Sequence, residues 1–207
     1  MLYLKEGHKP LTAVVFDLGN VILDYDPRRF MFEMGIAPEL HDRVYAATVG
    51  TPDWHELDAG NLSQADFLEN SIRRDPLLKK EITLFVKTWK EYFHAVPENV
   101  ACMYQVKEAG AKAYVLSNFM EATYEYEIRH NSFFRDFDGM ILSFEQHLTK
   151  PEAAIYRKLI ETYQLDPATT VFFDDIEENI EAARKEGLIG VILPPCAPVA
   201  DWLEFEE

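Results

Sequence analysis

The chain has 207 residues, of which 48% are hydrophobic, and this composition is typical of a globular protein with a substantial core. Its formal net charge of −16 argues against long-range attraction to nucleic acid or to anionic lipid, so we expect neither as a partner. No apolar run reaches the ~18 residues of a membrane helix. The polar start and two cysteines without metal-binding spacing, Cys102 and Cys196, indicate a cytoplasmic protein.

The first predicted strand is the apolar run Ala13–Phe16, which resembles the buried strands of parallel sheets. Asp17 follows directly, and Gly19 stands two places later. Because parallel sheets bind ligands at the carboxyl ends of their strands, we expect Asp17 in a crevice, with Gly19 allowing close approach of the main chain. A turn-capping aspartate is the alternative interpretation.

The next segment, to about residue 92, has apolar residues at helical spacing and no convincing strand. It begins at Asp26-Pro27, which is typical of a helix cap and first helical position, and Asp58-Ala59-Gly60-Asn61 predicts a turn between helices. We therefore expect a small helical-bundle cap at residues 25–92, inserted into a core domain made of residues 1–24 and 93–207.

Helices and strands alternate from Pro97 onward. The predicted helices are Pro97–Ala109, Thr123–Arg129, Pro151–Tyr163 and Glu177–Glu186, and the predicted strands are Lys112–Leu116, Gly139–Ser143, Thr170–Phe173 and Ile189–Leu193. Such alternation is typical of right-handed crossover units. It predicts an α/β fold with an open parallel, Rossmann-like sheet and helices on both faces. The acidic tail Asp201–Glu207 either covers an edge or extends freely.

Three carboxylates follow two of these strands: Asp17 follows the first, and Asp174-Asp175 follow the predicted strand Thr170–Phe173. Brought together, three carboxylates repel one another unless a cation neutralises them. Mg²⁺ prefers oxygen ligands and resolves this repulsion. The alternative for the pair is a helix cap followed by a first-turn acid.

Phosphate-binding groups follow the other strands. Ser117-Asn118 offer a hydroxyl and an amide to phosphate oxygens at a predicted strand end, and Lys150 lies in a loop before a helix. A lysine there can contact both a carboxylate nucleophile and a phosphoryl oxygen. Helix capping and a surface lysine are the respective alternatives.

In order along the chain, these four motifs resemble those of the haloacid dehalogenase-like hydrolase superfamily. Val14–Val21 resembles its nucleophile motif, Val115–Asn118 its second motif, Lys150-Pro151 its lysine motif and Phe172–Asp175 its acidic motif, and the resemblance covers nearly the whole chain. The Asp-Leu-Gly-Asn-Val form is similar to a branch with bacterial sugar-phosphate phosphatases, including an α-D-glucose-1-phosphate phosphatase.

The resemblance implies a role for each of these residues. Asp17 would be the nucleophile and would form an aspartyl-phosphate. Asp17, the carbonyl of Gly19, and Asp174 or Asp175 would hold Mg²⁺, with Asn179 orienting the carboxylates. Ser117 and Lys150 would bind the transferred phosphoryl group, beside Asn118.

One residue departs from the family pattern. The family's phosphatases usually carry a second aspartate two residues after the nucleophile, as general acid and base, and here that position is Gly19. General acid–base catalysis contributes roughly 10²–10⁴-fold in rate. A good leaving group, a water molecule or a cap residue could substitute for it.

We therefore predict a Mg²⁺-dependent phosphatase of small phosphorylated metabolites, with sugar phosphates as candidate substrates. One alternative is a 2-haloacid dehalogenase, in which Asp17 attacks carbon without a metal; packed acids without a cation argue against it. The other is a non-catalytic phosphate-binding module that lacks the general acid. The sequence leaves the oligomeric state open.

Overall fold

A five-stranded parallel sheet lies at the centre of the computed structural model, which describes residues 1–206; Glu207, the end of the predicted tail, lies outside the described residues. In chain order the strands are β1 (Leu2–Leu4), β2 (Lys9–Pro10), β3 (Ala13–Phe16), β4 (Leu23–Asp24), β5 (His94–Ala95), β6 (Lys112–Ser117), β7 (Gly139–Leu142), β8 (Thr170–Asp174), β9 (Ile189–Ile192) and β10 (Leu203–Phe205). The central sheet has the order β7-β6-β3-β8-β9 and confirms the predicted parallel sheet. Its middle strand, β3, leads into Asp17.

The α-helices of the described residues are α1 (Pro27–Glu33), α2 (His41–Ala47), α3 (Pro52–Asp58), α4 (Gln64–Arg74), α5 (Lys79–Thr88), α6 (Pro97–Glu108), α7 (Glu121–His130), α8 (Ser143–Gln146), α9 (Ala153–Tyr163) and α10 (Glu177–Lys185). Short 3₁₀ turns lie at Pro38–Leu40, Pro76–Leu78, Trp89–Glu91, Ser132–Arg135, Pro167–Thr169 and Val199–Trp202. The predicted helices after Pro97 are confirmed, with ends shifted by one or two residues. Ser143 was predicted to end a strand, but it begins α8, because its carbonyl accepts a helical hydrogen bond from the N–H of His147 at 2.8 Å.

Both faces of the sheet are covered by helices. Side chains alternate along a strand, so Val14 and Phe16 of β3 belong to one buried cluster and Ala13 and Val15 to another. The first cluster includes residues of α6, and the second includes residues of α9 and α10. Because both faces are buried, β3 is apolar throughout, which is why its sequence shows no alternation.

The segment between β4 and β5 is helical and has a hydrophobic cluster of its own. The largest buried side chains of this cluster are Phe30, Trp54, Phe67, Phe85 and Trp89. The side chain of Asp26 caps α1, as expected from its position before Pro27. We call residues 25–92 the cap; its limits as a domain stay a prediction.

Two small antiparallel sheets were not predicted. Strands β4 and β5 pair where the chain enters and leaves the cap, and β1 pairs with both β2 and β10. The tail therefore forms a strand against the start of the chain. Strands of two or three residues are too short to show a period, which explains why the sequence did not indicate them. Within the described residues, no helix is long and apolar enough to cross a bilayer.

Candidate active site

Strand register brings the predicted site residues to one edge of the sheet. Phe16 pairs with Val115 of β6 and with Phe173 of β8. The chain segments that follow Phe16, Val115 and Phe173 are therefore neighbours at this edge. The main-chain N–H of Asp17 extends the ladder by donating to Phe173 O at 3.0 Å. The parallel topology thus places Asp17 between the ends of β6 and β8, although these segments are far apart in sequence.

Lys150 joins two of the carboxylates. Its Nζ lies 2.8 Å from Oδ1 of Asp17 and 2.6 Å from Oδ2 of Asp174, and its side chain is only 2% exposed. Burial raises the pKa of Asp17 to about 7, although Lys150 opposes this rise. Burial also disfavours the charged ammonium, but the two carboxylates outweigh it and hold the pKa of Lys150 above its ordinary value. Lys150 is therefore a permanent buried cation at the site.

The loop that carries Lys150 is held by Asn118. The side-chain oxygen of Asn118 accepts from the N–H of Lys150 at 2.8 Å, and its amide group donates to the Lys150 carbonyl at 3.0 Å. The amide nitrogen and the oxygen of the Asn118 side chain are thus both bonded to the main chain of Lys150. The end of β6 therefore sets the position of the lysine, and a contact between Asn118 and substrate stays a prediction.

Asp174 and Asp175 have different surroundings. Asp174 is fully buried, and its two oxygens accept hydrogen bonds from Lys150 Nζ, the N–H of Ile176 and the amide of Asn179, which reaches both oxygens at 3.0 Å. A carboxylate has about four lone-pair directions, and these bonds use all of them. Asp175 lines the cavity and accepts a side-chain hydrogen bond from Asn20 at 2.9 Å.

The three carboxylates can contribute to a cation site. Asp17, Asp174 and Asp175 each offer an oxygen, and these oxygens lie within 4.8 Å of one another. Oxygen-only donors with a net negative charge suit Mg²⁺. The residues present therefore fit this ion, and the free bonding capacity belongs to Asp17 and Asp175 because the carboxylate of Asp174 is already engaged.

A cavity of about 420 Å³ opens above these residues. Six residues of the predicted set line it: Asp17, Gly19, Asn118, Lys150, Asp175 and Asn179. Ser117 and Asp174 do not line it; both are buried behind its floor, and Ser117 helps to lower the pKa of Asp17. The volume matches that of a small-molecule pocket.

The cap supplies the other walls of the cavity, and these are largely aromatic. The cap and the residues near its end contribute Tyr25, Tyr45, Trp54, Trp89 and Phe93. They also contribute Asp58, the last residue of α3, which is buried. The sequence placed Asp58 in a turn and gave no sign of a functional role. An acid before Ala-Gly gives no functional signal in the sequence, and the packing of the end of α3 against α8 brings Asp58 to this cavity.

Comparison with known proteins establishes the family. The family of haloacid dehalogenase-like hydrolases matches residues 11–187, which contain all four motifs. The chain belongs to the haloacid dehalogenase-like hydrolases. A phosphorylated carbohydrates phosphatase from Thermotoga maritima is 24% identical over 86% of this chain and 82% of its own length. A sesquiterpene phosphatase from Aspergillus oryzae is 20% identical over 87% of this chain and 89% of its own length.

A solved structure shows the same fold. A HAD family enzyme from Bacteroides thetaiotaomicron, in complex with magnesium and inorganic phosphate, is 19% identical and superimposes with a TM-score of 0.73, covering 92% of this chain and 98% of that one. This similarity confirms the fold class of the hydrolase. Membership of the branch that contains α-D-glucose-1-phosphate phosphatase stays a prediction.

Gly19 is not required by the structure of this haloacid dehalogenase-like hydrolase. Its main chain is outside the left-handed region, and a Cβ atom built there would have Tyr25 Cβ, at 3.9 Å, as its nearest contact. A distance of 3.9 Å is an ordinary van der Waals contact, so a Cβ atom fits at this position. The missing second aspartate is therefore not a consequence of crowding at this position.

Proposed function

We propose that this hydrolase is a Mg²⁺-dependent phosphatase of small phosphorylated metabolites, with Asp17 as the nucleophile of an aspartyl-phosphate mechanism. The observation that carries the proposal is the arrangement of Asp17 on the cavity floor. Its Oδ1 is bonded to Lys150 and to the N–H of Leu18, so Oδ2 is the oxygen that can attack phosphorus.

Lys150 interacts with three anionic groups in this scheme. Its ammonium offsets the charge of Asp17 and Asp174, and it can contact a phosphoryl oxygen as negative charge develops there. The side-chain hydrogen bond from Ser117 favours the ionised form of Asp17 by lowering its pKa. Asn118 positions the lysine by its two bonds to the Lys150 main chain.

The metal ligands follow from the free bonding capacity of the carboxylates. We assign Asp17, Asp175 and the Gly19 carbonyl as direct ligands of Mg²⁺, and Asp174, oriented by Asn179, as the buried partner of Lys150. Bound there, Mg²⁺ supplies positive charge that reduces repulsion between a carboxylate and a phosphate. The aspartates and the lysine hold the reacting groups in place.

The cavity restricts the substrate to a small molecule. Its aromatic walls can stack on a sugar ring or on an apolar group. Two relatives are named as phosphatases of a sesquiterpene and of phosphorylated carbohydrates. We propose sugar phosphates first, in agreement with the sequence motif. A cytoplasmic location stays a prediction.

The first alternative, a dehalogenase, is disfavoured by the site. A metal-free reaction of Asp17 with a haloacid would leave Asp174 and Asp175 beside an anionic substrate with Lys150 as the cation, which is electrostatically costly. The second alternative, a non-catalytic module, explains Gly19 but gives no reason for a buried Lys150–Asp17 pair at a cavity.

The test uses p-nitrophenyl phosphate with Mg²⁺. We expect hydrolysis that EDTA stops, that Mg²⁺ restores and that Asp17→Asn abolishes, together with a phosphoryl group on Asp17 in acid-quenched protein by mass spectrometry. Metal-independent halide release from a 2-haloacid would support the dehalogenase instead. Phosphate-analogue binding without any turnover would support the non-catalytic module.

A further inference from the structure

We propose that Asp58, at the end of cap helix α3, is the general acid and base of the reaction and takes the role that Gly19 cannot fill. The proposal rests on the phosphatase function proposed above. It is a catalytic assignment, because it requires Asp58 to exchange a proton with the leaving group and with water.

Asp58 lies in the same cavity as the nucleophile. It is 9% exposed and lines the cavity with Asp17 and Lys150. Asp17 and Lys150 belong to the sheet edge, whereas Asp58 belongs to the cap. In the proposed mode of binding, a phosphate ester at the sheet edge extends its leaving group towards the cap, on the side of the cavity that Asp58 lines.

Three contacts between the cap and the core hold the end of α3. The hydroxyl of Ser143 donates to the Asp58 carbonyl and accepts from the N–H of Phe119 at 2.9 Å. Nδ1 of His147 lies 3.0 Å from the Ala59 carbonyl. Gly60 lies against the Phe144 main chain. The main chain of Asp58 is therefore anchored to the core, next to the loop that follows β6.

The carboxyl group of Asp58, in contrast to its main chain, has no protein partner. Among residues 1–206, no group makes a hydrogen bond or an ion pair with it, whereas the buried carboxylates of Asp17 and Asp174 have such partners. Burial raises the pKa of Asp58 to about 8, with Lys150 lowering it and Asp17 raising it further. A buried, protonated carboxyl group without a protein partner is free to donate to a bound molecule.

The other titratable side chains of the cap wall are less suitable. Burial raises the pKa of Tyr25 well above its usual value, which makes it a poorer acid. His55 lies on the same helix as Asp58 but is exposed. Asp58 is thus the buried cap acid that lines the same cavity as the nucleophile.

The proton transfers balance over two steps. First, Oδ2 of Asp17 bonds to phosphorus as the bond to the leaving oxygen breaks; the electron pair stays on that oxygen, which takes the proton of Asp58. Second, the Asp58 carboxylate takes a proton from water as that water attacks phosphorus. The bond to Asp17 breaks, and inorganic phosphate and a protonated Asp58 remain.

The experiment compares leaving groups of increasing basicity: p-nitrophenyl, phenyl and benzyl phosphate. We expect Asp58→Asn to slow formation of the phosphoenzyme by less than about tenfold for p-nitrophenyl phosphate and by about 10²–10⁴-fold for benzyl phosphate. With p-nitrophenyl phosphate the variant should release a stoichiometric burst of nitrophenolate and then turn over slowly, because the second step lacks its base.

Glu127→Gln is the matched control. Glu127 is also buried, with a pKa that burial raises to about 7, but it lies on α7 and does not line the cavity. Its variant should keep the wild-type dependence on leaving group. Asn has the size of Asp and suits a buried site; should Asp58→Asn fail to fold, Asp58→Ser takes its place, with thermal unfolding as the check.

The outcomes separate the two proposals. If the wild-type protein hydrolyses the series and Asp58→Asn slows all three substrates equally, or leaves the second step unchanged, the assignment of Asp58 is overturned and the phosphatase remains. If the wild-type protein with Mg²⁺ hydrolyses none of the three, the phosphatase and the role of Asp58 are both overturned.

Discussion

Nζ of Lys150 lies 2.8 Å from Oδ1 of Asp17, and both side chains are buried. The same ammonium contacts Asp174, so one cation balances two carboxylates at the floor of the cavity. Removing one member of such a set leaves buried charge without compensation, which typically costs about 3–5 kcal/mol. The pair is therefore as important for stability as for chemistry.

We expect Lys150→Met to lower the free energy of unfolding by about 3–5 kcal/mol in EDTA, measured by urea denaturation. Adding Asp174→Asn removes one of the two carboxylates that Lys150 balances. The double variant should therefore be more stable than the sum of the two single variants predicts. Simple additivity would contradict the account of Lys150 as the shared counter-charge.

The second prediction separates the two adjacent aspartates. Because the oxygens of Asp174 are fully engaged by protein donors and Asp175 faces the cavity, Asp175→Asn should weaken Mg²⁺ binding by more than about 100-fold, whereas Asp174→Asn should weaken it by about tenfold. Isothermal titration calorimetry with Mg²⁺ measures both. The reverse order of affinities would show that Asp174 is the direct ligand.

The third prediction concerns the contact between cap and core. Gly60 has φ +71°, and a Cβ atom there would lie 2.6 Å from the Phe144 carbonyl oxygen. Gly35 has φ +74° but has no atom within 4 Å of such a Cβ. Gly35→Ala is therefore a control that shares the backbone strain without the steric clash.

We expect Gly35→Ala to cost about 1 kcal/mol of stability and to leave activity unchanged. Gly60→Ala should cost about 1–3 kcal/mol more. It should also lower kcat/KM, because the end of α3, which carries Asp58, must move away from the core. Urea denaturation and steady-state kinetics measure the two effects; equal losses for the two variants would show that the close approach at Gly60 has no role.

The fourth prediction concerns pH and stability. Burial raises the pKa of Glu127 from 4.5 to about 7. The folded chain therefore binds more protons than the unfolded chain between these values, and the free energy of unfolding falls as the pH rises through this window. Glutamine resembles the protonated form at every pH. Glu127→Gln should thus leave stability unchanged near about pH 4 and raise the unfolding midpoint by at least about 2 °C near about pH 8. A variant that is destabilised equally at both pH values would contradict this.

The sequence predicted those parts of the site that depend on local pattern and on one topological rule. Asp17 and Asp174 each follow a short apolar run, and parallel strands bring such ends together, so their proximity was predictable. The two bonds between Asn118 and the Lys150 main chain were not, because loop geometry decides them. Nor was Asp58, whose position depends on how a whole helix packs against another part of the chain.

Asp17 and Asp58 therefore differ in how many folding steps determine their positions. The position of Asp17 follows from its strand alone. The position of Asp58 requires α3 to form, the cap to pack its own core, and Ser143 to bond the end of that helix. No periodicity in the sequence predicts that hydrogen bond. The role of a residue that is positioned by tertiary contacts is therefore recognised only from the folded structure.

The last prediction uses the space at Gly19. If Asp58 supplies the proton that the family's phosphatases usually take from a second aspartate, then restoring that aspartate should relieve the loss of Asp58. The Cβ position at Gly19 is open and its main chain is not in the left-handed region, so Gly19→Asp is compatible with the fold. In the Asp58→Asn background, Gly19→Asp should recover at least about tenfold of the lost benzyl phosphate activity, within the 10²–10⁴-fold range of general acid catalysis.

Gly19→Asn in the same background is the control, since it has the same size but donates no acidic proton. It should recover no activity, and steady-state rates with benzyl phosphate distinguish the two double variants. Equal recovery by aspartate and asparagine would mean that filling the space at residue 19, rather than proton transfer, explains the gain. Recovery by aspartate alone would show that the two positions share one chemical role. Residue 19 lies at the sheet edge and Asp58 lies in the cap, so protonation of the leaving oxygen is the function that the two aspartates would have in common.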